Sequence, residues 1–347
     1  MEGCSVNHVR RILSGEKLFV SPSLKFIPYT YTPLYFYLSA ITSKIAGIGF
    51  VPLRLISFIS PIGCFIIIFL IVKRETGNSY SGILTSCLFA ATFRIGGAWF
   101  AIARVDSLFL FLLLLAVYII RFNTSRRSHM VFGLFVSLSF LTKQTALIIA
   151  LPIMLLLVLT NWRRSLSLHS LIKSRLITFW INDIFIPLSI ACIFSIFYLI
   201  SQLVRQTKEK DFFYLVIAVC TIGITWFSRL NFGAYNNVLL PAYAVICILF
   251  GLATHKVTEF VRVESFNNKK LLELFLYLAC FIQFATLIYN PISLIPSQKD
   301  LEAGRIFLQL FNDAEVFWPI SGYRTRPEYI YIFLETMVLI DTVEPYI

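Results

Sequence analysis

The chain alternates between long apolar runs and short polar or basic breaks. Runs of bilayer-spanning length, or close to it, fall at roughly 55–73, 80–98, 105–121, 130–142, 145–161, 180–203, 212–228, 236–254 and 270–289. They predict an all-α polytopic bundle of about nine transmembrane helices. One run is peculiar at its entrance. In ARVDSLFLFLLLLAVYIIRF, residues 103–122, nothing from Ser107 to Ile120 is charged, yet Arg104 and Asp106 stand at the mouth. The stretch 31–49, YTPLYFYLSAITSKIAGIG, is aromatic-rich and interrupted by Lys44 and two glycines, which predicts an interfacial helix rather than a clean span. The boundaries are therefore 1–50 for an external loop and interfacial helix, 51–290 for the membrane domain, and 291–347 for an extracytoplasmic tail. Within that tail, EVFWPI at 315–320 reads as a short strand and the whole as a small cap.

Loop charge sets the orientation. Lys73 and Arg74, then Arg121, Arg126 and Arg127, then Arg163, Arg164, Lys173 and Arg175 form three basic loops, all expected on the cytoplasmic side. The N-terminal 30 residues, the segment 99–106 and the turn TKQT at 142–145 are then external. Beyond residue 162 the alternation fails: Arg205, Lys208 and Lys210, and later Lys256, Arg262, Lys269 and Lys270, would lie outside. One more crossing between about 163 and 180 would correct every later loop, but SLSLHSLIKSRLITFW is too polar to supply it. A helix missing from this region is the expectation.

Composition agrees with a multi-pass membrane protein: 58% hydrophobic, 14% charged, mean hydropathy +0.80. The net charge of +12 is accounted for by basic loops and calls for no nucleic acid. Six of the seven cysteines lie inside apolar runs, no CxxC exists, and the four histidines lack ligand spacing. No cofactor is predicted, and a divalent metal is left open.

The external face collects the unusual residues. Arg104 and Asp106 come from one segment, Lys143 and Gln144 from LTKQT, and Arg229, Asn236 and Asn237 from SRLNFGAYNNVLLPAYA. Three segments thus bring a cation to one leaflet, an arrangement suited to an anionic group such as a lipid phosphate. Each has a structural alternative: an ion pair orienting a helix mouth, a snorkelling anchor, a polar turn.

The order of these motifs resembles the GT-C membrane glycosyltransferases. They run from a Pro/Tyr-rich interfacial stretch, YTYTPLYFYLSAITSKIAGIGFVPLRLISF, through ARVDSLFLFLLL and LSFLTKQTALIIALP, to the Asn-rich loop before LLPAYA. The nearest look is to the glycosyltransferase family 39 and RgtA/B/C/D-like group, relatives of protein mannosyltransferases and aminoarabinose transferases. The resemblance implies transfer of a sugar from a polyprenyl-phosphate donor to an acceptor hydroxyl, on a lipid or glycan, at the extracytoplasmic face of the plasma membrane. By position it implies Glu2 and Asp106 as catalytic, Arg104, Lys143 and Arg229 as donor-phosphate ligands, and Gln144, Asn236 and Asn237 as substrate ligands.

Departures matter too. Family members begin with a membrane helix that precedes the catalytic acid, and this chain starts where that acid should be. Glu2, so near the start, is expected to be poorly held. The expectation is a member shortened at the N-terminus, with its activity in question. The competing expectation is a non-catalytic lipid-linked-sugar binding protein or flippase, which should bury charge near the bilayer midplane. Here only Arg94 and Asp183 come near doing so.

Overall fold

The computed structural model describes residues 2–20, 26, 31–123, 125–149, 178–205, 212–229, 235–263, 269–294 and a few of 298–306. The described residues are overwhelmingly helical. In chain order the helices are α1 (Glu2–Leu13), α2 (Leu34–Ala46), α3 (Phe50–Thr76), α4 (Ser79–Ala91), α5 (Asp106–Phe122), α6 (Arg126–Phe140), α7 (Ile186–Arg205), α8 (Phe212–Arg229), α9 (Leu240–Val263) and α10 (Lys269–Ala285). A π-helical segment, Thr178–Phe185, leads into α7, and a 3-10 turn, Asn236–Leu239, leads into α9. Among the described residues, four stretches are long and apolar enough to cross a membrane: Phe50–Thr76, Phe179–Val204, Phe212–Arg229 and Asn236–Arg262. The protein is membrane-embedded.

Two compact units are distinguished, each described by itself. The first takes Met1–Phe58, Ala101–Val105 and Tyr289–Ile347; the second takes Ile59–Phe100 and Asp106–Ile288. In the first, α1 packs on α2, and Val6, Val9, Ala40, Leu53 and Ala103 form its small core. The aromatic stretch expected to lie at the interface is the helix α2.

In the second unit α9 is the central element. It contacts α4, α7, α8 and α10, and 89% of its apolar window is buried. Its approach to α4 requires a glycine. A methyl group on Gly251 would lie 1.7 Å from Thr85 Oγ1, so any side chain there would force the helices apart. At the opposite end from Asp106, α3, α5 and α8 are tied together. Arg121 donates from Nε to Glu75 Oε1 at 2.5 Å and from Nη2 to Oε2 at 3.1 Å. The rings of Phe213 and Tyr214 flank its guanidinium at 4.9 and 5.0 Å.

The run expected to cross at 80–98 is cut short. Asn78 caps α4 by accepting from the Tyr80 and Ser81 N–H groups, but the helix stops at Ala91 and residues 92–100 turn. Gly97 takes φ +68° and Ala98 φ +58°. Glycine enters that left-handed region without penalty, and its neighbour is carried with it. The apolar pattern continued through this segment, but the backbone did not. Most of the expected crossing at 145–161, all of 163–177 and the strand at 315–320 lie outside the described residues.

Candidate functional site

Asp106 opens α5, where the N-terminal end of the helix favours a negative charge. The start of the helix is held to the preceding turns by Ser107, whose hydroxyl lies 3.1 Å from the carbonyls of Trp99 and Phe100. The Asp106 carboxylate is 2% exposed. Its Oδ1 accepts from Lys143 Nζ at 2.7 Å and from Asn237 Nδ2 at 2.9 Å. Three elements distant in sequence thus meet at one carboxylate oxygen.

Each partner is positioned locally. Lys143 sits in the tight turn after α6, where its N–H donates to the Ser139 carbonyl at 2.9 Å. Ser139 in turn donates to the Phe109 carbonyl at 3.1 Å, tying α6 to α5. Asn237 lies in the 3-10 turn ahead of α9, and its neighbour Asn236 anchors that turn by donating to the Ile95 carbonyl at 3.1 Å. Gln144 is exposed beside Lys143.

Lys143 lines a small cleft with Phe109, Thr145, Ile224, Thr225 and Ser228. Sequence reasoning missed Thr225. It is 2% exposed, and its hydroxyl has no hydrogen-bond partner among the described residues, an arrangement that suits a ligand oxygen. No motif marked it, because it sits in the middle of an apolar run. Ile149 and Pro241 also line a second small cavity, otherwise walled mainly by Leu113, Val117, Ile217 and Val245. A mostly apolar cleft that holds a lysine and two threonines therefore adjoins a wholly apolar one.

Arg229 does not join Asp106. It donates from Nε to Asp183 Oδ2 at 2.8 Å and from Nη2 to Oδ1 at 3.3 Å. Asp183, noticed in the sequence only as an unusually deep charge, is thus half of a bidentate pair.

In the first unit, Glu2 corrects an expectation. Rather than being loose, its carboxylate accepts from Arg54 Nε at 2.8 Å, from Arg54 Nη2 at 2.5 Å and from the Ala103 N–H at 2.7 Å. Helix α1 extends to Glu2 and so delivers it to a fixed place. Burial alone would raise its pKa, but the bonds from Arg54 and Ala103 and the Arg54 charge hold it below the ordinary value. Arg104 donates to the Tyr31 hydroxyl at 3.0 Å, and Ser57 donates to the Arg104 carbonyl at 3.2 Å. Nearby on α1, His8 is driven down to about 4, chiefly by burial. It is neutral at pH 7, and its Nδ1–H donates to the Cys4 carbonyl at 2.7 Å. Among the described residues, no group of three or more His, Cys, Asp or Glu is placed to hold a metal.

The architecture is that of the GT-C membrane glycosyltransferases, the class implied by the ordered motifs. The family described as dolichyl-phosphate-mannose-protein mannosyltransferase matches residues 30–186. Among solved structures, the chain is similar to apo ArnT from Cupriavidus metallidurans, with a TM-score of 0.54 at 11% identity over 82% of this chain and 68% of that one. The same ArnT bound to undecaprenyl phosphate gives 0.50 at 13% identity over 89% and 68%. No curated protein sequence matches the chain.

Proposed function

We propose that this protein is a membrane glycosyltransferase that moves a sugar from a polyprenyl-phosphate-linked donor to an acceptor hydroxyl on the extracytoplasmic face. The observation that carries this reading is the cleft of the second unit. A buried lysine, oriented by Asp106, stands there with the unpartnered Thr225 hydroxyl, and an apolar cavity shares two of its walls. A phosphate needs a cation and hydroxyl or N–H donors, and an isoprenoid tail needs an apolar channel. The ArnT structure bound to undecaprenyl phosphate supports that donor class.

Under this reading Lys143 meets the donor phosphate and stabilises it as it departs. Asp106 is the assigned catalytic carboxylate and holds Lys143 in place, while Asn237 fixes Asp106. Gln144 and Asn236 border the same region as substrate ligands. Arg229 reaches phosphate by exchanging its Asp183 partner. In the first unit, Glu2 is the assigned base toward the acceptor, ionised at neutral pH, and Arg104 is the assigned anion ligand.

Binding of a polyprenyl phosphate to the full chain in nanodiscs tests the reading, with the phosphate-free polyprenol as control. Wild type should prefer the phosphate, and Lys143→Gln and Thr225→Val should each lower that preference, Lys143→Gln by about tenfold or more. Equal affinity of wild type for the two lipids would remove the proposal. Membrane-impermeant labelling of Tyr235→Cys, an exposed position beside the Asn236–Leu239 turn, should occur from outside. Labelling only from inside would overturn the assigned face.

A further inference from the structure

Helix α7 is broken near its start, and side chains from two other helices fill the break. Pro187 has no N–H, so the carbonyl of Asp183, one turn earlier, lacks its helical donor. The Tyr243 hydroxyl on α9 donates to that carbonyl at 2.9 Å. Next in the chain, Leu188 leaves helical geometry with φ −125° and ψ 32°. A regular helix would join the Ala191 N–H to the Pro187 carbonyl. Instead the carboxamide of Gln283, on α10, stands between them. The Ala191 N–H donates to Oε1 at 2.9 Å, and Nε2 donates to the Pro187 carbonyl at 2.9 Å.

The orientation of this amide is fixed by chemistry, since an N–H can meet only its oxygen and a carbonyl only its nitrogen. Thr286 supports it from one turn on: Nε2 lies 3.2 Å from the Thr286 hydroxyl, which bonds back to the Gln283 carbonyl at 2.8 Å. Gln283 is fully buried. In a bilayer the freed backbone groups would find no water, so such a break persists only where protein groups satisfy it. Immediately before the break lies the π-helical segment that carries Asp183, and π-helical turns are frequent at functional sites.

We propose that Gln283 is a positioning residue that bridges the broken backbone of α7 and thereby sets Asp183 opposite Arg229. If the break closed into a regular helix, the turn carrying Asp183 would rotate and the two-point contact with the guanidinium would be lost. The bridge therefore holds Arg229 to Asp183, and without it the guanidinium would be freer to meet another anion. This depends on the proposed function only for what that other anion is.

The test measures geometry rather than turnover. Spin labels are placed at Trp180→Cys on the π-helical segment and Phe227→Cys on α8, both exposed. The accessible Cys4, Cys87 and Cys220 are replaced by Ser, and the buried cysteines stay. Wild type should give one narrow distance in nanodiscs. Gln283→Leu should broaden it and shift it by about 2 Å, on the order of one residue's rise. Adding Pro187→Leu restores the N–H that lets a regular helix form, so the double variant should return to a single narrow distance, at a new value. An unchanged distribution in Gln283→Leu would overturn the proposal. So would a double variant as broad as Gln283→Leu, or one that fails to fold, because a regular helix has no need of the bridge. A failure of polyprenyl-phosphate binding leaves these distances untouched, so the two readings stand or fall separately.

Discussion

Glu2 with Arg54 and Asp106 with Lys143 are both carboxylate–cation pairs with an added N–H donor, yet their surroundings give them different weight. The Arg54 side chain is 55% exposed, whereas those of Lys143 and Asp106 are 11% and 2% exposed. Arg54 can return to water or headgroups when Glu2 is removed. Lys143 has no such retreat, and a buried charge deprived of its partner is far costlier than an exposed one. The first pair therefore fixes a helix end at small expense, while the second is a committed part of the interior. A committed pair of this kind needs a reason beyond stability, because apolar residues of the same volume would pack as well.

The largest effect should come from Asp106→Ala. Leaving Lys143 without its carboxylate should cost about 3–5 kcal/mol, seen as a large drop in the thermal midpoint in detergent. A loss no greater than that of Glu2→Ala would erase the contrast. Asp106→Leu combined with Lys143→Leu should recover most of that stability while transferase activity and lipid-phosphate preference stay lost, which separates function from folding. If the double variant remained as unstable as Asp106→Ala, the pair would be structural. Arg54→Ala should be mild, about 1 kcal/mol or less.

The smallest effect concerns pH. His8 has its folded pKa lowered from 6.5 to about 4, so the unfolded chain takes up a proton first as pH falls. Its contribution to stability is fully present above about 6.5 and lost on the way down to about 4. Glu2, also lowered in the folded state from 4.5, adds a further loss below that value. Thermal midpoints measured from pH 7 to 4 should therefore fall, and His8→Phe should flatten the upper part of the curve. A curve unaffected by His8→Phe would place the acid sensitivity elsewhere.

The long spans were legible because continuous apolar runs leave few alternatives, and α3, α8 and α9 fall where the pattern put them. The end of α4 was less so: the Gly96–Gly97 pair was the available signal, and the apolar residues around it masked it. For the candidate site, the residue types could be read but not their pairings. Lys143 and Asn237 reach Asp106 across 37 and 131 residues, and Arg54 reaches Glu2 across 52. Nothing in local spacing encodes such meetings. The firm seating of Glu2 could not be read because the Ala103 N–H that completes it is a backbone group, invisible as a residue type. Gln283 and Thr225 were hidden for a related reason: inside an apolar helix a single polar residue is ordinary until its neighbours are known.

The enclosure of α9 also bears on how the protein is made. By length and hydropathy it could cross a membrane, as α3 could. In the finished fold, however, other helices take the place of lipid around most of its surface, and Gly251 leaves no space for loose docking against Thr85. Much of α9 can reach its native surroundings only once α4, α7, α8 and α10 are beside it. Since α10 follows it in the chain, the centre of the bundle closes late in biosynthesis. A ribosome stalled before Lys269 would present α9 to the bilayer with one of its packing partners still missing.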